Sequence, residues 1–289
     1  MSMDSVPYWR AIACDLDGTL IGYDHKANDR DFDALRRARD AGIHVALATG
    51  RNSRECAGPI AALGLSGAGV FVNGAMICDM ATGKSLSCRH MTYDLALEIM
   101  DFFGSRGHAV LVLADHPETG QPIYFRADHG PPHRATVEWL LANRMEATIV
   151  DDIPRAFRRH VIRLGIVVDV QSSPPLERAL AEQFGTRVSS HSIYSPYFDC
   201  QIIEVYCEVT SKWTGIEKMC EMMQIPADRV IAIGDDINDI AMLQRASLSF
   251  AMGSASPVIR KFATRVTASQ SECGVAQVID ALLAGHLHS

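Results

Sequence analysis

The sequence has no hydrophobic run of the length that a membrane-spanning helix needs. Its longest apolar stretches are shorter than about ten residues, whereas a span takes about 20. The first ten residues include Asp4 and contain no apolar segment of the kind that a secretory signal peptide carries. We therefore expect a cytoplasmic protein without a membrane partner.

The chain also lacks an excess of positive charge. It has 27 Lys and Arg residues against 34 Asp and Glu residues, which gives a net charge of -7, and no run of five like charges. Proteins that bind nucleic acids need a basic surface to neutralise phosphates. We therefore expect no nucleic-acid partner.

The eight cysteines form no paired pattern. They include no C-x-x-C motif and no evenly spaced framework, and they stand at positions 14, 56, 78, 88, 200, 207, 220 and 273. Structural zinc sites and secreted disulfide scaffolds usually show such patterns. The spacing therefore argues against both, and we expect reduced cysteines that lie mostly in the core.

The two ends of the chain share an alternation of strands and helices. Near the start, a strand at Ile12–Cys14, a helix at Asp31–Ala41 and a strand at Ile43–Ala48 follow one another. The alternation returns after residue 212, with a strand at Leu248–Ala251 among others. Such repeats indicate βαβ units and a parallel sheet. At 289 residues the chain has room for two domains, and we predict a Rossmann-like α/β core.

The middle of the chain follows a different pattern. Met76–Cys78 and Ser85–Cys88 flank a turn sequence and predict a hairpin, after which further strands and helices follow. A segment with its own elements, set between two parts of one α/β pattern, predicts an inserted domain. We expect a core domain of residues 1–83 and 190–289 and an inserted α/β domain of residues 84–189.

Two carboxylates follow the first strand directly. Asp15 and Asp17 stand after the apolar run that ends at Cys14, and Gly18 and Thr19 come next. Parallel sheets keep their chemistry at the carboxyl ends of their strands. Because unpaired charges are rarely buried, the sequence predicts a cationic partner beside these acids.

A second acidic group follows the strand at Val230–Ile233. Gly234 is followed by Asp235, Asp236, Ile237, Asn238 and Asp239. Together with Asp15 and Asp17 these side chains form an all-oxygen set, which suits Mg²⁺ better than zinc or copper. An alternative is that Asp235 or Asp236 only caps the following helix.

Two further positions are suited to binding phosphate. Thr49, Gly50 and Arg51 follow the second strand and offer a hydroxyl and backbone N–H groups, although Thr49 could simply cap a helix. Lys212 stands at the start of a predicted helix, where the helix dipole disfavours a cation. A nearby anion would explain that placement, and a solvated surface lysine is the alternative.

These residues occur in the order of the four motifs of the haloacid dehalogenase-like (HAD) phosphohydrolases. The chain resembles the Cof-type branch, subclass IIB, through Asn73-Gly74, through Ala251-Met252-Gly253 and through Gly274-Val275-Ala276. That branch carries an α/β cap domain between its second and third motifs. The resemblance implies a Mg²⁺-dependent phosphatase that cleaves a phosphomonoester of a small metabolite, such as a sugar phosphate, through an aspartyl-phosphate.

The resemblance also implies a role for each motif residue. Asp15 would be the nucleophile and Asp17 the acid and base. Mg²⁺ would bind to Asp15, to the backbone carbonyl of Asp17 and to Asp235, with Asp239 supporting the site from behind or through water. Lys212 would be a third catalytic residue. It would also bind the phosphate, together with Thr49, Gly50 and Asn238.

Some alternatives stay open from the sequence. A phosphomutase would share the same core residues, and a non-catalytic protein could bind a phosphorylated metabolite without turnover. The oligomeric state is open between a monomer and a homodimer. The inserted domain is expected to select the leaving group, and candidates for that contact, each also explicable as an exposed loop residue, are Arg126, His129, His133 and His191.

Overall fold

The computed structural model describes residues 7–22, 26–115, 122–126, 130–142 and 145–287. The strands of the described residues are β1 (Ala11–Cys14), β2 (His44–Leu47), β3 (Ala68–Phe71), β4 (Met76–Asp79), β5 (Ser85–Cys88), β6 (Val110–Ala114), β7 (Ile123–Arg126), β8 (Ala147–Val150), β9 (Val161–Asp169), β10 (Val188–Ser195), β11 (Cys200–Cys207), β12 (Val230–Gly234), β13 (Leu248–Ala251) and β14 (Arg265–Val266). The helices are α1 (Asp29–Asp40), α2 (Ala57–Leu63), α3 (Tyr93–Gly104), α4 (Arg134–Ala142), α5 (Ser173–Phe184), α6 (Lys212–Met223), α7 (Ile240–Arg245), α8 (Pro257–Arg260) and α9 (Gly274–Leu283). Two compact units result, one of Met1–Leu86 with Ser211–Ser289 and one of Ser87–Thr210.

The first unit is built on a parallel sheet. Its strand order is β14-β13-β12-β1-β2, so β1 lies at an inner position between β12 and β2. In register, Cys14 at the end of β1 stands beside Ile233 of β12 and Leu47 of β2. The strands are short apolar runs because both faces of such a sheet are covered. The predicted α/β fold with a parallel sheet is confirmed, and the carboxyl ends of the central strands share one edge.

A small sheet of β3, β4 and β5 follows β2 along the chain. Asp79 and Lys84 close its predicted hairpin, since the Asp79 N–H donates to the Lys84 carbonyl at 2.9 Å. The Thr49 N–H donates to the carbonyl of Val70 in β3 at 3.0 Å. This bond ties the segment after β2 to β3.

The second unit has a mixed sheet of order β10-β11-β9-β6-β7-β8, in which only β7 and β8 of the adjacent pairs run parallel. Helix α3 packs on β6 and β9, and α5 packs on β10 and β11. The predicted boundary between residues 189 and 190 lies inside β10, whereas the structure divides the chain after Thr210. The reason is pairing, because β10 and β11 continue the sheet from β9. Within the described residues, no helix has the length and apolar character needed to cross a membrane.

A buried carboxylate connects two helices of the first unit. Asp31 in α1 is fully buried, and its Oδ1 accepts a hydrogen bond from the N–H of Ala276 in α9 at 2.7 Å. Its Oδ2 has no hydrogen-bond partner among the described residues. Burial therefore raises the pKa of Asp31 from 3.8 to about 6, and the bond from Ala276 opposes this only in part.

We expect the free energy of unfolding of Asp31→Asn, measured relative to that of the wild type, to increase as the pH rises from about 4 to 7. The raised pKa means that the folded protein holds this proton when the unfolded chain has released it, so stability falls as pH rises through about 6. Asparagine cannot ionise and escapes that loss, which amounts to at most about 3 kcal/mol. Urea unfolding at several pH values measures the difference, with the exposed Asp33→Asn on the same helix as control. A difference independent of pH would contradict this prediction.

Candidate active site

The first motif places Asp15 directly beyond β1. Its N–H donates to the carbonyl of Ile233 at 2.9 Å, which extends the pairing with β12 by one residue. The Asp15 side chain is buried, and its Oδ1 accepts a hydrogen bond from Lys212 Nζ at 2.5 Å. Lys212 is therefore the cation that the sequence predicted beside this acid.

Lys212 is the first residue of α6 and is completely buried. Ser211 caps that helix in a reciprocal arrangement with Thr214, which fixes where the lysine side chain starts. Its Nζ also donates to Asp239 Oδ1 at 2.6 Å. Burial alone would lower the pKa of Lys212, but the charges of Asp15 and Asp239 outweigh burial and raise it. The alternative of a solvated surface lysine is wrong.

Asp235 lies at the end of β12 and is held by the loop of the first motif. Thr19 Oγ1 donates to Asp235 Oδ1 at 2.8 Å. Gly18 lies beside the same carboxylate with φ of +83°, and a Cβ there would stand 2.2 Å from Asp235 Oδ2. Only glycine combines this left-handed conformation with so close an approach. The loops after β1 and β12 are therefore fitted to each other around one carboxylate.

The other two acids of the fourth motif, Asp236 and Asp239, accept different hydrogen bonds. Asp239 is buried, and its Oδ2 accepts from the N–H groups of Asp235 at 2.8 Å and Asp236 at 3.0 Å. Asp236 accepts from the N–H of Ile237 at 2.7 Å and so provides the helix cap. The helix that follows begins as a 3-10 turn, Ile237–Asp239, before α7. Asp236 and Asp239 form a capping box at this turn, which leaves Asp235 available for the site.

The buried acids fit a divalent cation. Asp15, Asp235 and Asp239 each offer an oxygen, and these oxygens lie within 4.8 Å of one another. With all three carboxylates ionised, the cluster and Lys212 together carry a formal charge of -2 in a buried site. Burial raises the pKa of Asp15 well above its ordinary value, and the charges of Asp239 and Asp235 add to this while Lys212 opposes it. An all-oxygen set with this charge is the kind that Mg²⁺ binds.

The side chain of Asp17 has a different partner. Arg51 Nε donates to Asp17 Oδ2 at 2.8 Å, and Arg51 Nη2 donates to Asp17 Oδ1. Burial works against the charge of Arg51, but the hydrogen bonds and the charge of Asp17 outweigh it and raise the pKa of Arg51. The Asp17 carboxylate is thus bound by a guanidinium outside the cluster of Asp15, Asp235 and Asp239. Arg51 belongs to the predicted phosphate-binding segment, but the sequence predicted no role for its side chain.

Asn73 joins the second motif, Thr49–Arg51, to the fourth, Gly234–Asp239. Its N–H donates to the carbonyl of Thr49 at 3.0 Å, and its Oδ1 accepts from Asn238 Nδ2 at 3.0 Å. A Cβ on residue 50 would lie 3.2 Å from the amide atoms of Asn73, so glycine at this position leaves room for the Asn73 side chain. The buried Thr49 hydroxyl accepts from the N–H of Arg51 at 3.1 Å. The four predicted phosphate-binding residues thus lie in two places. Lys212 lies beside Asp15, and Thr49, Gly50 and Asn238 surround Asn73.

The candidate residues for selecting the leaving group make structural contacts. Arg126 donates to Asp101 Oδ1 at 2.7 Å, and His133 Nδ1 accepts from the N–H at the second residue of α4 at 3.2 Å. His191 stands opposite Glu204 in the sheet of the second unit, with its ring against Tyr206. The fourth candidate, His129, lies outside the described residues. Arg126 lies in β7 and His191 in β10, so the alternative of an exposed loop residue is wrong for these two.

Comparison with known proteins identifies the family. The family model of the haloacid dehalogenase-like hydrolases matches residues 12–279. The chain belongs to this family. The match includes every motif described above, and the prediction of a hydrolase of the HAD superfamily is confirmed.

Individual members of the HAD superfamily match nearly the whole chain. The 5-amino-6-(5-phospho-D-ribitylamino)uracil phosphatase YitU of Bacillus subtilis is 26% identical over 283 residues, which cover 96% of this chain and 98% of that protein. The HMP-PP phosphatase of Yersinia pestis is 27% identical over 259 residues, which cover 88% of this chain and 87% of that protein. Among solved structures, a HAD/COF-like hydrolase from Plasmodium vivax has a TM-score of 0.79 at 22% identity and covers 96% of each chain. The fold is that of the Cof-type branch.

Proposed function

We propose that this hydrolase is a Mg²⁺-dependent phosphatase acting on a phosphomonoester of a small metabolite, such as a sugar phosphate. The observation that carries the proposal is the buried cluster of Asp15, Asp235 and Asp239 around Lys212 Nζ. It offers a nucleophilic carboxylate, a fixed cation and a charge surplus that a divalent cation would neutralise. Relatives named as phosphatases of phosphorylated metabolites support this substrate class.

Asp15 performs the first chemical step in this proposal. Its carboxylate attacks the phosphorus, the bond from phosphorus to the ester oxygen breaks, and an aspartyl-phosphate forms on Asp15. Lys212 orients that carboxylate and favours its ionised form. Asp15, Asp235 and the backbone carbonyl of Asp17 would hold Mg²⁺, which would supply positive charge to the phosphate. Asp239 keeps Lys212 and the turn at Asp235 in place.

Asp17 moves the protons. In its protonated form Asp17 gives its proton to the leaving alkoxide, and the resulting carboxylate takes a proton from the water that attacks the aspartyl-phosphate, so phosphate is released and both Asp15 and protonated Asp17 are restored. Its carboxylate must exchange its contact with Arg51 for the substrate and water during this cycle. Arg51 holds the side chain of Asp17 in place before this exchange, and we assign it the role of a positioning residue.

The non-bridging oxygens of the phosphate need several donors. Lys212, Thr49 and the N–H of Gly50 provide them, and Asn238 completes the set through its position against Asn73. Hydrogen-bond donors of this kind stabilise the charge that spreads over the transferred phosphoryl group.

Removing Arg51 is expected to act through Asp17. Arg51→Ala should lower kcat by about 10- to 100-fold in the wild-type background, because general acid–base catalysis contributes about 10²- to 10⁴-fold. In the Asp17→Asn background the same change should have little further effect. A double-mutant cycle on kcat and KM measures this coupling. Additive losses would show that Arg51 acts independently of Asp17.

The proposal is tested by phosphate release from a panel of sugar phosphates and other small phosphomonoesters. We expect release with Mg²⁺, its loss on chelation and its recovery when Mg²⁺ is restored. Asp235→Asn should raise the Mg²⁺ concentration needed for half-maximal rate by at least about tenfold, whereas Asp236→Asn, a change in the helix cap, should leave it nearly unchanged.

The same panel separates the alternative functions. A phosphomutase would transfer the phosphoryl group to a second substrate hydroxyl and would release little inorganic phosphate. A binding protein would be stabilised against thermal unfolding by a phosphorylated metabolite and would release no inorganic phosphate. Either result in place of Mg²⁺-dependent hydrolysis would overturn the proposal.

A further inference from the structure

A second group of metal-ligating side chains lies within the second unit. Cys88, His90 and Asp115 each offer a ligand atom, and these atoms lie within 4.8 Å of one another. Cys88 Sγ donates to Asp115 Oδ2 at 3.1 Å. The ring of His160 stands edge-on to that of His90, with 5.4 Å between the ring centroids. A thiol, an imidazole and a carboxylate therefore meet in one place, and a second imidazole lies beside the first.

Backbone pairing brings these residues together from three segments. Cys88 ends β5, and the N–H of Met91 donates to the carbonyl of Val161 at 2.7 Å, which sets His90 beside the start of β9. The N–H of Asp115 donates to the carbonyl of His160 at 2.8 Å. Backbone hydrogen bonds at the start of β9 therefore hold Asp115, His160 and the segment that carries His90 beside one another, and Cys88 stands at the end of β5.

We propose that this group is a binding site for Zn²⁺, with Cys88 Sγ, a ring nitrogen of His90 and an oxygen of Asp115 as ligands. His160, after a rotation of its ring, or a water molecule would take the fourth position of a tetrahedral site. On binding, the proton of the Cys88 thiol leaves to solvent, and the thiolate and the Asp115 oxygen that had accepted this proton both turn to the metal.

The donor types favour zinc over the cations expected in the first unit. Sulfur and nitrogen ligands suit zinc, whereas Mg²⁺ prefers oxygen. Zinc–ligand bonds of about 2.0 to 2.3 Å place ligand atoms about 3.3 to 3.7 Å apart in a tetrahedron. The 3.1 Å between Cys88 Sγ and Asp115 Oδ2 is close to that spacing.

The same residues do not form a nucleophilic triad. In such a triad the base contacts the nucleophile and the acid orients the base. Here the carboxylate of Asp115 accepts directly from the thiol of Cys88. The proton that Cys88 Sγ donates to Asp115 Oδ2 therefore occupies the place that a metal ion would take between these two ligands.

The sequence argued against structural zinc because the chain has no C-x-x-C motif. The site proposed here does not require that motif. Cys88 and His90 are separated by one residue, while Asp115 and His160 come from distant segments. Only the folded structure shows that Cys88, His90 and Asp115 meet and that His160 lies beside His90.

Zinc binding by the full-length protein tests the proposal. The protein is loaded with Zn²⁺, passed through gel filtration with excess Mg²⁺, and its zinc content is measured. Loss of an outer partner already weakens a metal site about 10- to 100-fold. Cys88→Ser and His90→Gln should therefore weaken the binding of one zinc equivalent by at least about 100-fold. Cys207→Ser, which changes another partly buried cysteine of this unit, should not.

Two further measurements make the outcome decisive. Asp235→Asn removes zinc bound at the carboxylate cluster of the first unit, so the two sites are counted separately. Replacement of zinc by Co²⁺ should produce thiolate-to-cobalt charge-transfer absorption in the wild type and Cys207→Ser, and none in Cys88→Ser. His90 is exposed, so His90→Gln should remain folded by circular dichroism. Equal zinc retention in wild type, Cys88→Ser and His90→Gln, or none in any, would overturn the proposal.

Discussion

The Asp15→Asn variant is expected to lose at least about 10⁴-fold in kcat for phosphate release, while it remains folded. An amide is a poor nucleophile, and it cannot form the aspartyl-phosphate. Asparagine keeps an oxygen that can accept the hydrogen bond from Lys212 Nζ, so the local packing is retained. Steady-state kinetics with the best substrate of the panel measures the loss, and thermal unfolding verifies the fold.

Asp33→Asn is the matched control for this change. It also removes one negative charge from the first unit, but from an exposed position that pairs with Arg36. We expect its kcat to stay within about twofold of the wild type, because a surface ion pair is worth little. Wild-type activity in Asp15→Asn would exclude Asp15 as the nucleophile.

Lys212→Met is expected to lower both activity and stability. The side chain is completely buried between Asp15 and Asp239, with Nζ 2.5 and 2.6 Å from their oxygens. Methionine fills similar space, but it leaves the two carboxylates without their shared cation. Breaking a buried ion pair in this way costs about 3 to 5 kcal/mol of unfolding free energy. The loss of one charged donor to the transferred phosphoryl group should lower kcat by about 10²- to 10³-fold.

Chemical unfolding and steady-state kinetics measure the two effects of Lys212→Met. Lys218→Met, on the same helix but half exposed and paired with Glu221, is the control and should change neither quantity appreciably. Part of the stability should return when Mg²⁺ is added, since the cation would compensate the carboxylates. A variant as stable and active as the wild type would contradict the role given to Lys212.

The fold could be predicted from local patterns because its core strands are short apolar runs with polar ends. The predicted bounds of β13, Leu248–Ala251, are those of the structure, since that run has a clear start and stop. The acids after β1 and β12 were noticed for the same reason, because a carboxylate directly beyond a buried strand requires an explanation. Elements without a clear pattern were missed, including α2 with its internal Gly58 and Pro59, the half-exposed β8 and the serine-rich β10.

Contacts between distant residues account for what the sequence could not supply. The ion pair of Arg51 with Asp17 and the bond from Asn238 to Asn73 depend on which loops meet at the edge of the sheet. No spacing in the sequence shows that Asp17 points to an arginine while Asp15 points to a lysine. The two acids were predicted as a pair, and the structure gives them separate partners.

The central claim is that Asp15 carries the phosphoryl group between two chemical steps. Its most direct test uses Asp17→Asn with p-nitrophenyl phosphate, whose leaving group needs no proton, so only the second step lacks its base. We predict a burst of one nitrophenolate per chain followed by slow turnover, and a phosphoryl group on the acid-quenched peptide that contains Asp15. Linear release of nitrophenolate without a burst, and with no phosphoryl group on that peptide, would contradict the mechanism.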